Sequence, residues 1–250
     1  MMKWTIRAVM LLATLLVVAA CNGEEANDTT ADVDAEALVE SAASALEDTS
    51  AFEIVLETSG TPVQLDAGAI DFAMPIMFER AEGVYVAPNR LGGTVSLRIE
   101  DAVTDANVIV VGDDQYVRHV LITLNNWQEL IFSEGFNPAN LTSGDESIPA
   151  ALRDIQNLEY LGRTALDGIE MHHLRGEVDA IQVSAATVGL IGTEEGLIEA
   201  ELFIRPGDER LEELRLEEPI PDEDTEPTQW TISFFSYGGD FTVNQPDVSP

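Results

Sequence analysis

From Ala51 onward apolar residues recur at every second position, and nothing else in the chain restricts its fold so strongly. Phe52, Ile54 and Leu56 fall on one face of an extended segment, while Glu53 and Glu57 flank Val55 on the other. A side-chain period of two is the mark of a strand that buries one face and leaves the other in water. Further candidate strands follow at Val63–Phe72, Ile76–Glu79, Val84–Ala87, Val95–Glu100, Val108–Val111 and Tyr116–Leu124. Turn signals separate them at Ser59-Gly60, from Asn89 to Gly93, and at Gly112-Asp113-Asp114. Connections this short can join only antiparallel neighbours, so the run is expected to form a meander.

The second half repeats the pattern with clearer punctuation. Leu158–Thr164 and Ile169–Val178 form a predicted hairpin about Leu166-Asp167-Gly168, and Leu197–Ile204 pairs with Leu211–Leu216 across Pro206-Gly207-Asp208. An acidic loop from Pro219 to Pro227 precedes the last expected strands, Trp230–Phe235 and Phe241–Val243. Helical spacing is confined to three places. Asp34 can cap a helix that carries Leu38, Val39, Ala42 and Leu46 on one face and runs to about Glu47 or Asp48. A short helix starts at Ser147, with Pro149 in its first turn and Leu152 and Ile155 facing inward. Asp179 can cap a further apolar helix through Ile181, Val183, Ala186 and Leu190, ended by Gly192. Many antiparallel strands with two or three amphipathic helices describe an α+β chain in which a curved sheet closes around the helices.

The N-terminus decides the compartment. Lys3 and Arg7 precede an apolar run from Ala8 to Ala20, which at thirteen residues is too short to span a bilayer and has the layout of an export signal. Leu15-Leu16-Val17-Val18-Ala19-Ala20 leads into Cys21, the only cysteine of the chain. Small residues running directly into a cysteine resemble the lipobox of bacterial lipoproteins, in which the cysteine is acylated and becomes the new first residue. The expected organisation is therefore a signal peptide over residues 1–20, an acidic tether over 21–33 and one domain over 34–250. Loss of the signal removes two of the 12 basic residues and none of the 46 acidic ones, so the mature formal charge is −36. Such a chain lacks the Lys and Arg clusters that hold nucleic acid, and charge alone would not draw it to anionic head groups. With one cysteine, no intramolecular disulfide is possible.

The sequence offers no catalytic or cofactor signature. No G-x-S-x-G, H-E-x-x-H or phosphate-binding glycine loop occurs. The histidines are His119, His172 and His173, and neighbours on a strand point to opposite faces, so His172 and His173 are badly placed to chelate one ion. Asp222-Glu223-Asp224 lacks the glycine and the spaced oxygen ligands of a calcium loop. No catalytic residue, cofactor or metal ligand is assigned.

The opening helix, the stretch Ala51–Gly60, the segment Tyr160–Ala180, of which Gly162–Ala180 is the specific part, and the closing Trp230–Ser236 through Val243-Asn244-Gln245-Pro246 together resemble the LppX/LprAFG type of lipoproteins. That likeness implies the fold shared with LolA and LolB carriers: a half-open antiparallel barrel whose concave side, covered by helices, encloses an apolar cavity for acyl chains. It further implies a membrane-anchored, extracytoplasmic, non-enzymatic protein that binds lipid or glycolipid and hands it on to an envelope partner. Leu38, Leu46, Phe52, Ile54, Leu56, Val183 and Leu190 are the candidate lining residues. A packed core has the same sequence pattern as a lined cavity, so a ligand-free chaperone or assembly scaffold fits these residues too.

Overall fold

A computed structural model describes residues 33–65, 74–191, 196–219 and 226–248. The export signal, Cys21 and the tether up to residue 32 lie outside the described residues, as do residues 66–72 of the second predicted strand, Gly192 and residues 220–225 of the acidic loop.

Among the described residues twelve strands make one sheet: β1 (Ala51–Ser59), β2 (Gln64–Leu65), β3 (Ile76–Val86), β4 (Arg90–Ile99), β5 (Ala102–Val111), β6 (Asp114–Arg118), β7 (Gln128–Glu129), β8 (Gln156–Leu166), β9 (Ile169–Asp179), β10 (Leu197–Ile204), β11 (Leu211–Glu217) and β12 (Gln229–Phe235). The spatial order is β7-β6-β5-β4-β3-β1-β12-β11-β10-β9-β8, with β2 paired to β3, so the sheet is open, with β7 and β8 at its ends. It is two meanders rather than one. β1 joins them by pairing antiparallel with β3 on one side and with the last strand on the other, which sets Ile54 opposite both Gly83 and Phe234.

Two predicted strands, Ile76–Glu79 and Val84–Ala87, are parts of β3. The register against β4 shifts between Phe78 and Arg80, so the inward positions change from Ile76 and Phe78 to Ala81, Gly83 and Tyr85, and the alternation breaks in the sequence. Gly92-Gly93 lies inside β4 and is not the predicted turn, since the chain reverses at Ala87–Asn89 instead. Phe241–Val243 is not a strand. This tail crosses the outer face, where Val243 packs on Gly92 and its carbonyl accepts from Arg90 at 2.9 Å.

The first helix, α1 (Ala35–Glu47), is capped by Asp34, whose side chain accepts from the Ala37 amide at 3.0 Å. The second, α2 (Ile148–Arg153), is capped by Ser147, which accepts from Ala150. Arg153 binds α1 to α2 through Glu40 and Glu47, and its guanidinium holds both carboxyls below the usual range. The helix predicted after Asp179 is replaced by turns and one 3-10 segment, Ser184–Thr187. Asp179 does accept from the Ile181 amide, but Ile181, Val183, Thr187 and Val188 are β-branched, and Gly189 follows at once. Val188 leaves the helical region at φ +55°. A second 3-10 segment occupies Pro138–Leu141.

These covers divide the inner face. α1 lies against β8 and β11, burying Leu38, Val39, Ala42, Ala43 and Leu46 in one cluster with Leu174, Ile198, Leu202, Leu214, Trp230 and Phe234. The 3-10 segments lie instead against β4 and β12. A smaller cluster of Ile76, Leu97, Ile99, Ala106 and Val117 closes the far end of β3–β6.

Candidate functional site

Between the two clusters the inner face is not filled. The floor of the space is made by β1 to β5 through Ile54, Leu56, Leu65, Phe78, Ala81, Leu91, Val95 and Val108, and its roof by Phe132, Ser133, Leu141, Ala186, Val188 and Leu190. The space measures about 110 Å³. One water needs ~10–15 Å³, so the space is several waters large and suits small apolar groups. Glu82 and Thr94 border it through their backbone, since the Glu82 side chain is turned to solvent beside Arg80.

Small residues facing small residues make the room. Gly83 and Gly93 pair directly across β3 and β4, next to the Ala81–Val95 pair. A Cβ on Gly93 would meet the Glu82 carbonyl oxygen at 2.3 Å and the Gly83 Cα at 2.8 Å, so the two strands approach too closely there for any side chain.

Polar bonds join the parts of the roof, whose Leu141 and Ala186 are also buried in the main cluster. Gln115, 3% exposed, accepts from the Phe132 and Ser133 amides at 2.9 and 3.0 Å and donates to the Ser133 carbonyl at 2.5 Å. The Ser133 hydroxyl then donates to the Val188 carbonyl at 2.7 Å, which joins the two halves of the roof. Gln115→Ala leaves buried backbone groups without their partner, at a cost of about 1–3 kcal/mol. The expected result is faster amide hydrogen exchange at Phe132 and Ser133, by roughly tenfold or more, with β9–β12 unchanged.

Of the residues singled out in the sequence, Ile54, Leu56 and Leu190 border this space. Leu38, Leu46, Phe52 and Val183 lie in the packed cluster under α1 and α2, between 0% and 6% exposed. The difference arises because the helices sit over β8–β11, whereas the void sits under 3-10 segments and loops. Phe78, Val95, Val108, Phe132, Gln115 and Ser133 were not singled out. Alternation in β4 and β5 could have pointed to Val95 and Val108, but nothing local to Gln115 marks it as the holder of the roof.

The titratable groups nearby are structural. Burial pushes the Tyr85 hydroxyl up, and it pairs with Thr142 Oγ1 at 2.7 Å beside the Phe52 ring. His119, 1% exposed, accepts at Nδ1 from the Leu121 and Ile122 amides, so the proton sits on Nε2 and is donated to Thr104 Oγ1 at 3.1 Å. Burial lowers its pKa. A histidine held neutral in the fold contributes stability that is complete above the ordinary value of ~6.5 and is lost as pH falls through the lowered folded value. Melting temperature should therefore fall with acid between pH ~7 and ~5 more steeply in the wild type than in His119→Asn, whose Oδ1 replaces the Nδ1 acceptor. His172, also lowered by burial, is present in both proteins and cancels from the difference. Among the described residues no group of three or more His, Cys, Asp or Glu is placed to hold a metal ion.

Comparison with known proteins places this geometry. The LppX_LprAFG lipoprotein family model matches residues 34–243. A search of the curated proteins gives no match. Among solved structures, LprF from Mycobacterium bovis is 16% identical, with a TM-score of 0.62 over 85% of this chain and 96% of that one. LppX from Mycobacterium tuberculosis is also 16% identical, with a TM-score of 0.54 over 84% and 98%. At that identity the likeness is one of fold. The family match spans the floor, the roof and both clusters, and the chain belongs to the LppX_LprAFG lipoprotein family.

Proposed function

We propose that the protein is a membrane-anchored, extracytoplasmic lipoprotein that binds a lipid or glycolipid, seats a segment of acyl chain in the apolar cavity between β1–β5 and the roof, and transfers the lipid without chemistry. The observation that carries this reading is the unfilled apolar space, bordered on its floor by aliphatic and aromatic side chains and glycines. Each CH₂ taken from water is worth ~0.8 kcal/mol, so moving a chain from bilayer to such a space is nearly balanced and needs no nucleotide. The single cysteine behind a lipobox supplies the anchor, and Cys21 is read as the acylated first residue of the mature chain. The domain that carries the lipid is read as the whole of 34–250.

The test is mass spectrometry on protein taken gently from membranes. Native spectra should show a lipid adduct that organic extraction removes, and intact mass after extraction should retain a diacylglycerol on a chain beginning at Cys21. A chain that leaves lipid-rich membranes empty, and takes up neither added phospholipid nor glycolipid, rejects the carrier reading and leaves the ligand-free scaffold. A mature chain with no adduct at Cys21 rejects the anchor.

A further inference from the structure

In the segment that links β6 to the roof, Ile122 and Leu130 pack on the smaller cluster, while four other apolar side chains face outward. Val120 and Leu121 are each 57% exposed, Leu124 78% and Ile131 59%. This is no loose end. The Thr123 and Asn125 amides donate to the His119 carbonyl, His119 Nδ1 accepts from Leu121 and Ile122, and Thr123 Oγ1 both accepts from the His119 amide and donates to its carbonyl. Leu124 is held at φ +50°, a region that branched side chains enter reluctantly, and that turn leaves its side chain in solvent. A fixed turn that displays leucines to water has a use for them.

Charge and composition indicate what covers it. In a chain of formal charge −34, no carboxylate occurs from Gln115 to Gln128, and the cation there is Arg118. The Arg118 guanidinium lies 4.9 Å over the ring of Trp127, which is half-buried. Leucines beside a tryptophan and an arginine, without carboxylates, match the interface of a bilayer, where apolar groups enter the acyl boundary and amphipathic rings sit at head-group level. Eleven residues lie between Cys21 and Val33, so the tether is at most about 40 Å of extended chain.

We propose that the turn from Val120 to Trp127, which ends before the exposed Glu129, docks into the interfacial layer of the bilayer, so that lipid enters by way of the nearby roof residue Phe132. The docking rests on the reading of the chain as an anchored lipid carrier, and the partner is a neutral phospholipid surface. An anionic surface is disfavoured by the remaining charge, in a way that salt relieves.

Trp127 makes the proposal directly measurable. After loss of the signal the indoles are Trp127 and Trp230, and Trp230 is 0% exposed. The mature protein is purified from membranes and placed on phosphatidylcholine vesicles, with and without bromine on the acyl chains near the head group. Brominated lipid should quench Trp127 emission, and Trp127→Phe should remove that quenching. Leu121→Asp with Leu124→Asp should weaken docking by roughly a hundredfold, while the melting temperature stays close to that of the wild type. Leu124→Ser alone serves if the double variant folds poorly. Quenching confined to Trp230 reports lipid in the cavity without docking, and overturns this proposal while leaving the carrier reading intact. Absent quenching, or quenching that survives the leucine substitutions, overturns it as well. So does a wild-type dimer in sedimentation that the same substitutions dissociate, since the turn then serves a second copy of the chain. A chain without an acyl anchor is tested identically by adding the vesicles.

Discussion

Trp230→Ala is expected to lower the unfolding free energy by about 3–5 kcal/mol, the range for removing a large buried aromatic side chain. Trp230 is fully buried in β12, between Leu216 of β11 and Thr58 of β1, at the seam that joins the two meanders. Its ring lies 5.9 Å from Phe78, and its Nε1 donates to the Glu218 carboxylate at 2.7 Å. The substitution thus opens a hole and also takes a donor from a carboxylate that is 8% exposed. Both effects fall on the pairing of the chain's first strand with its last, in the middle of the open sheet. Urea unfolding followed by circular dichroism should show the lower midpoint. A loss below about 1 kcal/mol would mean that the seam is not packed as described.

The second large effect concerns two valines that the sequence treats alike. Val183 is 2% exposed in the packed cluster, and Val108 borders the open space, opposite Gly93 and beside Val117. Val183→Trp forces a large side chain into filled volume and should cost about 1–3 kcal/mol. Val108→Trp has room to enter and should change stability by less. The same substitution therefore separates a core from a void by the sign of its consequences: lost stability at one site, lost capacity at the other.

Much of this architecture could be read from residues alone because it rests on local periodicity. The two late hairpins, the caps at Asp34 and Ser147 and the alternation in β1 depend on neighbours a few positions apart. What could not be read depends on distant pairing. β1 lies between β3 and β12 through contacts about 180 positions away, which no local pattern encodes. The shift between Phe78 and Arg80 hid a continuous strand, and Gly92-Gly93, which resembles a turn, belongs to a strand that needs close approach and a place for Val243. The apolar residues after Asp179 have helical spacing, yet their β-branching and Gly189 leave only a 3-10 turn. The location of the void was the hardest to foresee. Cavity and core demand the same apolar residues, and only the placement of α1 over β8 and β11 leaves β1–β5 under a thinner roof.

The proposed seat of the lipid is the space between β1–β5 and the roof that Gln115 ties together. Native mass spectrometry of Val108→Trp, after loading with the lipid that copurifies with the wild type, tests it most directly. Occupancy should fall by roughly tenfold or more, as a guest loses most of a space several waters in volume, while Val183→Trp keeps its lipid at a temperature where it remains folded. Unchanged occupancy in Val108→Trp, or equal loss in both variants, would contradict the assignment.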